Sequence, residues 1–169
     1  MRKEVGYMQK ATKQKLKTYA VAIAIPLFIG GLSALLTMKN MQIYEQVQTP
    51  PLSPPSILFP IVWTVLYILM GVSSAIIWRN RQRDEPAADK GLLIYAISLF
   101  FNFVWSILFF NFRLFLFSFV WLIVLLGQII GTIVYYKKVS LTAAYLQIPY
   151  ALWVTFAGYL NAGIWILNK

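Results

Sequence analysis

The sequence predicts an all-α integral membrane protein: a bundle of five transmembrane helices, its N-terminus cytoplasmic and its C-terminus outside. Three observations carry that prediction. Hydrophobic residues make up 60% of the 169 and charged residues 12%, against about 25% charged in a soluble domain. The apolar residues gather into five runs of membrane-spanning length with polar joins between them. Of the fifteen cations, twelve fall in residues 1–18, 79–90 and 137–138, and three (Lys39, Arg113 and Lys169) fall on the alternate joins. That bias orients the spans by the positive-inside rule.

Residues 1–18 form a basic cytoplasmic tail, and residues 19–169 a single membrane domain. The first span, 19–38, is about 20 residues, enough to cross ~30 Å at 1.5 Å per residue. A basic start before an apolar run has the shape of a signal peptide. This run exceeds the usual ~7–15 residues of such a segment and more spans follow, so it is retained. Pro26 frees the carbonyl of Ala22 and predicts a kink, while Gly30, Gly31 and Ala34 admit a neighbouring backbone. Residues 39–55 form the longest connection. They carry Tyr44 and the prolines Pro50, Pro51, Pro54 and Pro55, which fix φ and lack amide donors, so a stiff lid over the outer mouth is expected. The second span, 56–78, tolerates Pro60 because the missing amide falls in the first turn or so. A charged loop, 79–90, leads to the third span, 91–110. The short join 111–113 makes this span and the fourth, 114–136, an antiparallel hairpin. Gly127 and Gly131 form a GxxxG motif, open to close packing within the bundle or to dimerisation. The fifth span, 141–168, contains Pro149, which is expected to bend it.

The net charge of +10 forms no single basic face, because the cations sit at run ends, and nucleic acid is not an expected partner. The five carboxylates, Glu4, Glu45, Asp84, Glu85 and Asp89, also lie outside the apolar runs. Proton-coupled pumps usually carry an acid or base inside the membrane, so that class ranks low. With no Cys and no His, disulfides, thiolate chemistry, common zinc sites and His- or Cys-ligated haem are excluded. No metal site is expected.

The orientation assigns depths. Phe59, Trp63 and Tyr67, four residues apart, share one helical face that enters from outside. Asn102, Trp105, Ser106 and Phe109 occupy the outer half of the third span. Ala157 and Asn161 occupy that of the fifth, with Trp153 nearer the midplane. Aromatic and amide groups thus converge at one depth under the proline-rich loop, as in a binding pocket. Blander readings stand beside this one. Trp78 and Trp165, near span ends, read as interfacial anchors, and Trp121 as packing or lipid-facing. Trp63, Trp105 and Trp153 suit pocket and packing equally. Hydrogen bonds between helices explain Asn102 and Asn161 as well as a ligand does.

The stretch PPLSPPSILFPIVWTVLYILMG, with FFNFVWSILFF in the third span and PYALWVTFAGYLNAGIWILN in the fifth, resembles the conserved blocks of the TspO/MBR family. Its members are the tryptophan-rich sensory proteins of bacteria and the mitochondrial translocator protein. The resemblance covers all five spans. It implies a five-helix bundle, often a homodimer, in contact with membrane lipid and, here, in the bacterial plasma membrane. It also implies binding of porphyrins such as protoporphyrin IX or haem, in a pocket shared with small lipophilic ligands, and of sterols in animal members. By motif position, ligand contacts would fall on Tyr44, Phe59, Trp63, Asn102, Trp105, Phe109, Trp153, Ala157 and Leu160. The two tryptophans linked to porphyrin photodegradation match Trp63 and Trp153. Two departures matter. Leu52 stands where a Trp is usual between the proline pairs, and the C-terminal YLNAGIWILNK lacks the Tyr of a sterol motif.

The residue chemistry agrees with a porphyrin independently. Indole and phenol rings stack on a flat π-system, and Lys39, Arg113 or Lys169 at the outer mouth would meet its propionates. Without His or Cys, a metal-free porphyrin suits the site better than haem, and no cofactor is required. The leading expectation is a porphyrin-binding sensor or regulator. A light- and oxygen-dependent porphyrin-degrading enzyme, with Trp63 and Trp153 as its reactive groups, is the alternative. A transporter of porphyrins or small lipophiles comes last, since the sequence shows no inverted repeat and no intramembrane charge.

Overall fold

The computed structural model describes residues 2–169, apart from the side chains of residues 2–11, Tyr44 and Glu45. The contact expected of Tyr44 therefore lies outside the described residues. Five helices are long and apolar enough to cross a membrane, and all the regular structure described is helical. They are α1 (Arg2–Thr37), α3 (Leu58–Asn80), α4 (Glu85–Ser106), α5 (Phe115–Val139) and α6 (Leu141–Leu167); α2 (Ile43–Gln46) is a single turn in the first connection.

The boundaries differ from expectation in three places. Helix α1 runs back through the basic tail to Arg2, because apolar character sets the length of the span and not that of the helix. Helix α4 starts inside the charged loop. Asp84 caps it by accepting a hydrogen bond from Ala87 N at 3.1 Å, and Pro86 sits in its first turn, where a missing amide is harmless. The connection 39–55 is also less irregular than its prolines imply, since a 3₁₀ turn (Met38–Asn40) and α2 fill its first half.

The helices pack in the ring order α1–α3–α6–α5–α4, with α1 meeting α4 to close it. Helix α1 passes through Pro26 unbroken. The Ala22 carbonyl that the proline leaves without an amide partner faces Gly71 of α3. A Cβ at Gly71 would lie 2.7 Å from that oxygen and 2.5 Å from Ile23 Cα, so only glycine allows the two backbones this close. One turn up, the Tyr67 ring occupies the space where a side chain on Gly30 would stand. Gly31 meets nothing within 4 Å.

The GxxxG pair behaves likewise: Gly127 meets nothing within 4 Å and Gly131 only Ile94, at 3.7 Å. Close packing within the bundle is therefore not its use. The basic segments gather at one end, where Arg79 lies 5.9 Å over the Tyr19 ring and both Lys90 and Lys138 approach Tyr135.

Candidate ligand-binding site

The site is built on α3. Trp63 stacks on Tyr67 with ring centroids 5.5 Å apart and meets Tyr150 of α6 edge-on at 6.2 Å. The Asn102 amide donates to the Tyr67 hydroxyl at 2.9 Å, so α4 holds the lower ring of the stripe in place. Across the bundle, Trp105 Nε1 donates to Asn161 Oδ1 at 3.2 Å, and Asn161 Nδ2 donates to the Phe115 carbonyl at 2.7 Å. Both asparagines are buried, Asn102 at 2% and Asn161 at 1% exposure. Asn161 is satisfied at both its oxygen and its nitrogen, as an amide in hydrocarbon must be, whereas Asn102 Oδ1 has no partner among the described residues.

Beyond Trp105, α4 loosens into a π turn, Ile107–Asn111. Such wide turns are frequent at functional sites. Here the turn belongs to a ring cluster: Phe109 lies 5.5 Å from Trp105, 5.0 Å from Phe110 and 5.3 Å from Phe115.

Two cavities adjoin these rings. The larger, about 240 Å³, lies between α1, α3 and α4, with Phe59, Trp63, Tyr67, Trp105 and Phe110 facing Gly30, Ser33 and Thr37. The smaller, about 60 Å³, lies towards α6 and is lined by Phe109, Ala157, Leu160 and Asn161. Met41, Phe59, Trp105 and Phe110 wall both. No carboxylate, lysine or arginine lines either cavity among the described residues; Lys39, Arg113 and Lys169 do not reach them. Lys169 lies 4.4 Å over the Trp165 ring instead. The larger cavity opens between α1 and α3, where its lining residues Gly31, Ala34, Pro60 and Thr64 are exposed.

Most of the expected residues are therefore brought together, while several stand elsewhere. Asn102 supports Tyr67 without lining a cavity. Trp153 lines neither cavity. It meets Phe59 edge-on at 5.9 Å and faces an outer groove between α3 and α6 with Pro149, Leu152 and Phe156. Trp121 packs, stacked on Phe101 at 4.3 Å and donating to its carbonyl at 2.8 Å.

None of the four loop prolines lines either cavity. Their segment is latched to α6 instead. Gln48 N and O exchange hydrogen bonds with the Asn168 side chain at 3.0 and 2.9 Å. Pro50 packs where a Cβ on Gly163 would be, 2.6 Å away. Tyr159 OH donates to the Pro51 carbonyl at 2.8 Å.

Sequence reasoning missed the α1 wall. Its signal was Ser33 and Thr37, two hydroxyls one turn apart in an apolar span. Both are buried, and Thr37 Oγ1 donates to the Ser33 carbonyl at 2.9 Å.

Residues 22–166 match the model of the TspO/MBR family. The chain is 34% identical to the "Tryptophan-rich protein TspO" of Chlorobaculum tepidum over 92% of its own length and 98% of that relative's. It is 36% identical to the "Tryptophan-rich protein TspO" of Archaeoglobus fulgidus, over 90% and 97%. With the "Translocator protein" of Ovis aries it shares 35% identity over 75% of each chain.

Proposed function

We propose that this chain, which belongs to the TspO/MBR family, is a membrane porphyrin-binding sensor or regulator whose ligand enters the aromatic cavities of the outer half. The observation that carries this reading is the pair of adjoining cavities with common walls at Met41, Phe59, Trp105 and Phe110. Their lining is aromatic and uncharged, which suits the flat body of a tetrapyrrole. At about 240 Å³ the larger cavity is smaller than the ~300–1,000 Å³ of typical ligand sites. A tetrapyrrole must therefore part those shared walls and join the two spaces. The family resemblance supports porphyrin over other flat ligands.

The test is a titration of the purified full chain with protoporphyrin IX, in the dark and then under light. Saturable dark binding is expected, reduced at least tenfold (~1.4 kcal/mol) by Ala157→Phe, which fills the smaller cavity. Unsaturable binding, or an unaffected variant, overturns the reading.

A second reading, light- and oxygen-dependent degradation, draws on the indoles: Trp63 walls the larger cavity and Trp153 sits one ring behind Phe59. Bleaching into a new product, lost in Trp153→Phe while dark affinity stays within about tenfold, favours it. An absorbance that keeps its shape in light leaves binding alone.

The proposed orientation is N-terminus cytoplasmic and C-terminus outside, in a bacterial plasma membrane. It is supported by the cation bias and by the gathering of basic segments at one end of the bundle. Gln46→Cys and Gln82→Cys in this cysteine-free chain are expected to label from opposite sides with an impermeant thiol reagent.

A further inference from the structure

At the basic end of the bundle, the described carboxylates are already engaged. Asp84 caps α4, and Arg81 takes both Glu85, at 3.1 Å, and Asp89, at 3.0 Å. Lys90 of α4 and Lys138 of α5 have no carboxylate among the described residues. Each ammonium instead lies 5.3 Å from the centroid of the same ring, Tyr135. The ring attracts each cation, so two like charges share one aromatic face.

From this point a seam runs towards the membrane centre between α4 and α5. Gly131 leaves room beside Ile94, and Gly127 faces open space. Leu93, Ile97, Ile130 and Val134 present exposed apolar surface around it. From Lys138 to Gly127 the seam is about 16 Å long at 1.5 Å per residue, enough for much of an acyl chain. The glycines alone mark nothing; two exposed lysines over one ring, at the head of an apolar face, are what match an anionic headgroup in charge.

We propose that the α4–α5 seam binds one anionic phospholipid, its phosphate held by Lys90 and Lys138 beside Tyr135 and an acyl chain lying over Gly131 and Gly127. This inference does not rest on the porphyrin reading, since the seam is separate from both cavities. A second copy of the chain fits the same face less well. A two-fold contact about the membrane normal would bring the Lys90 and Lys138 pairs of both copies to one depth, like charge against like. A phospholipid matches the charge of the lysine pair and covers the apolar face together.

The full chain in detergent, with added phosphatidylglycerol, phosphatidylcholine or inorganic phosphate, is measured by native mass spectrometry. Retained phosphatidylglycerol is expected, tighter than phosphatidylcholine and resistant to phosphate. Lys90→Gln and Lys138→Gln are each expected to weaken it about fivefold, the effect of one lysine at an anionic bilayer surface. Lys137→Gln removes the same charge at the same end but away from the Tyr135 ring, and is expected to change it less than twofold. Gly127→Leu is expected to weaken retention without changing thermal stability, because the added side chain meets open space. Equal losses in all three lysine variants would mean diffuse attraction and overturn the site. Displacement by inorganic phosphate would reduce it to an anion site without lipid. A dimer that dissociates in Gly127→Leu with lipid retention unchanged would assign the face to a second copy.

Discussion

The half of the bundle at the basic end and the half beneath the proline-rich segment, inner and outer in the proposed orientation, are built from the same helices and packed in opposite ways. In the inner half α1 and α3 touch backbone to backbone at Gly71. There Tyr136 fills the space beside Gly91, where a Cβ would lie 2.9 Å from its ring. Ser73 donates to the Ala143 carbonyl at 2.8 Å and accepts from Gln147 at 3.2 Å. In the outer half the same two helices bound a cavity, and large rings stand around space. The contrast shows how a helical membrane protein makes a pocket without a loop-built cleft. With little hydrophobic drive between helices in lipid, close approach depends on small residues. Where Gly71 of α3 gives way to Tyr67, Thr64, Trp63 and Pro60, the pair parts, although α1 still presents Gly30, Gly31 and Ala34.

The strongest way to break the contrast is to deny the inner half its close approach. Gly71→Leu would drive its Cβ into the α1 backbone, which cannot yield as a flexible side chain can. A loss of about 3 kcal/mol or more is expected, at the upper end for overpacking, read as a collapse of the thermal transition in detergent. Gly31→Leu, on the cavity rim, is the counterpart and is expected to stay within about 0.5 kcal/mol. Equal effects would erase the distinction between the halves.

A smaller effect is expected from Asn161→Ala in the outer half. It strands the buried Trp105 indole N–H and removes the donor to the Phe115 carbonyl, a cost of ~1–3 kcal/mol. Thermal unfolding and the emission of the tryptophans check it. Unchanged stability would mean that the rings are held by packing alone.

The smallest effect concerns the latch. Asn168→Ala removes both hydrogen bonds to Gln48, and Tyr159→Phe the one to the Pro51 carbonyl. These contacts are exposed, so each net bond is worth at most ~0.5–1.5 kcal/mol. Stability is expected to change little while release of bound porphyrin quickens. An unchanged off-rate would make the latch a structural tie with no gating role.

Some of this was legible in the residues themselves. The five spans were, because the cost of placing a segment in hydrocarbon is close to a sum over its own residues. So was the stripe Phe59, Trp63 and Tyr67, because helical periodicity alone puts them on one face. The cap at Asp84 was also legible, since Asp-Glu-Pro is a helix start, although the apolar run begins only at Gly91. Tertiary structure decided the rest. Trp63 and Trp153 are both tryptophans within apolar spans, yet Trp153 faces a groove while Trp63 faces a cavity, because helix rotation is set by neighbours distant in sequence. The α1 wall of Gly30, Ser33 and Thr37 joined the site only once α1 stood beside α3 and α4. Four prolines were readable as stiffness. That this stiffness is spent on a latch to α6 follows from Gly163 and Asn168, more than a hundred residues away (|i−j| = 120 for Gln48 and Asn168). A local pattern determines what a segment is; which partner it meets is a property of the closed ring of helices.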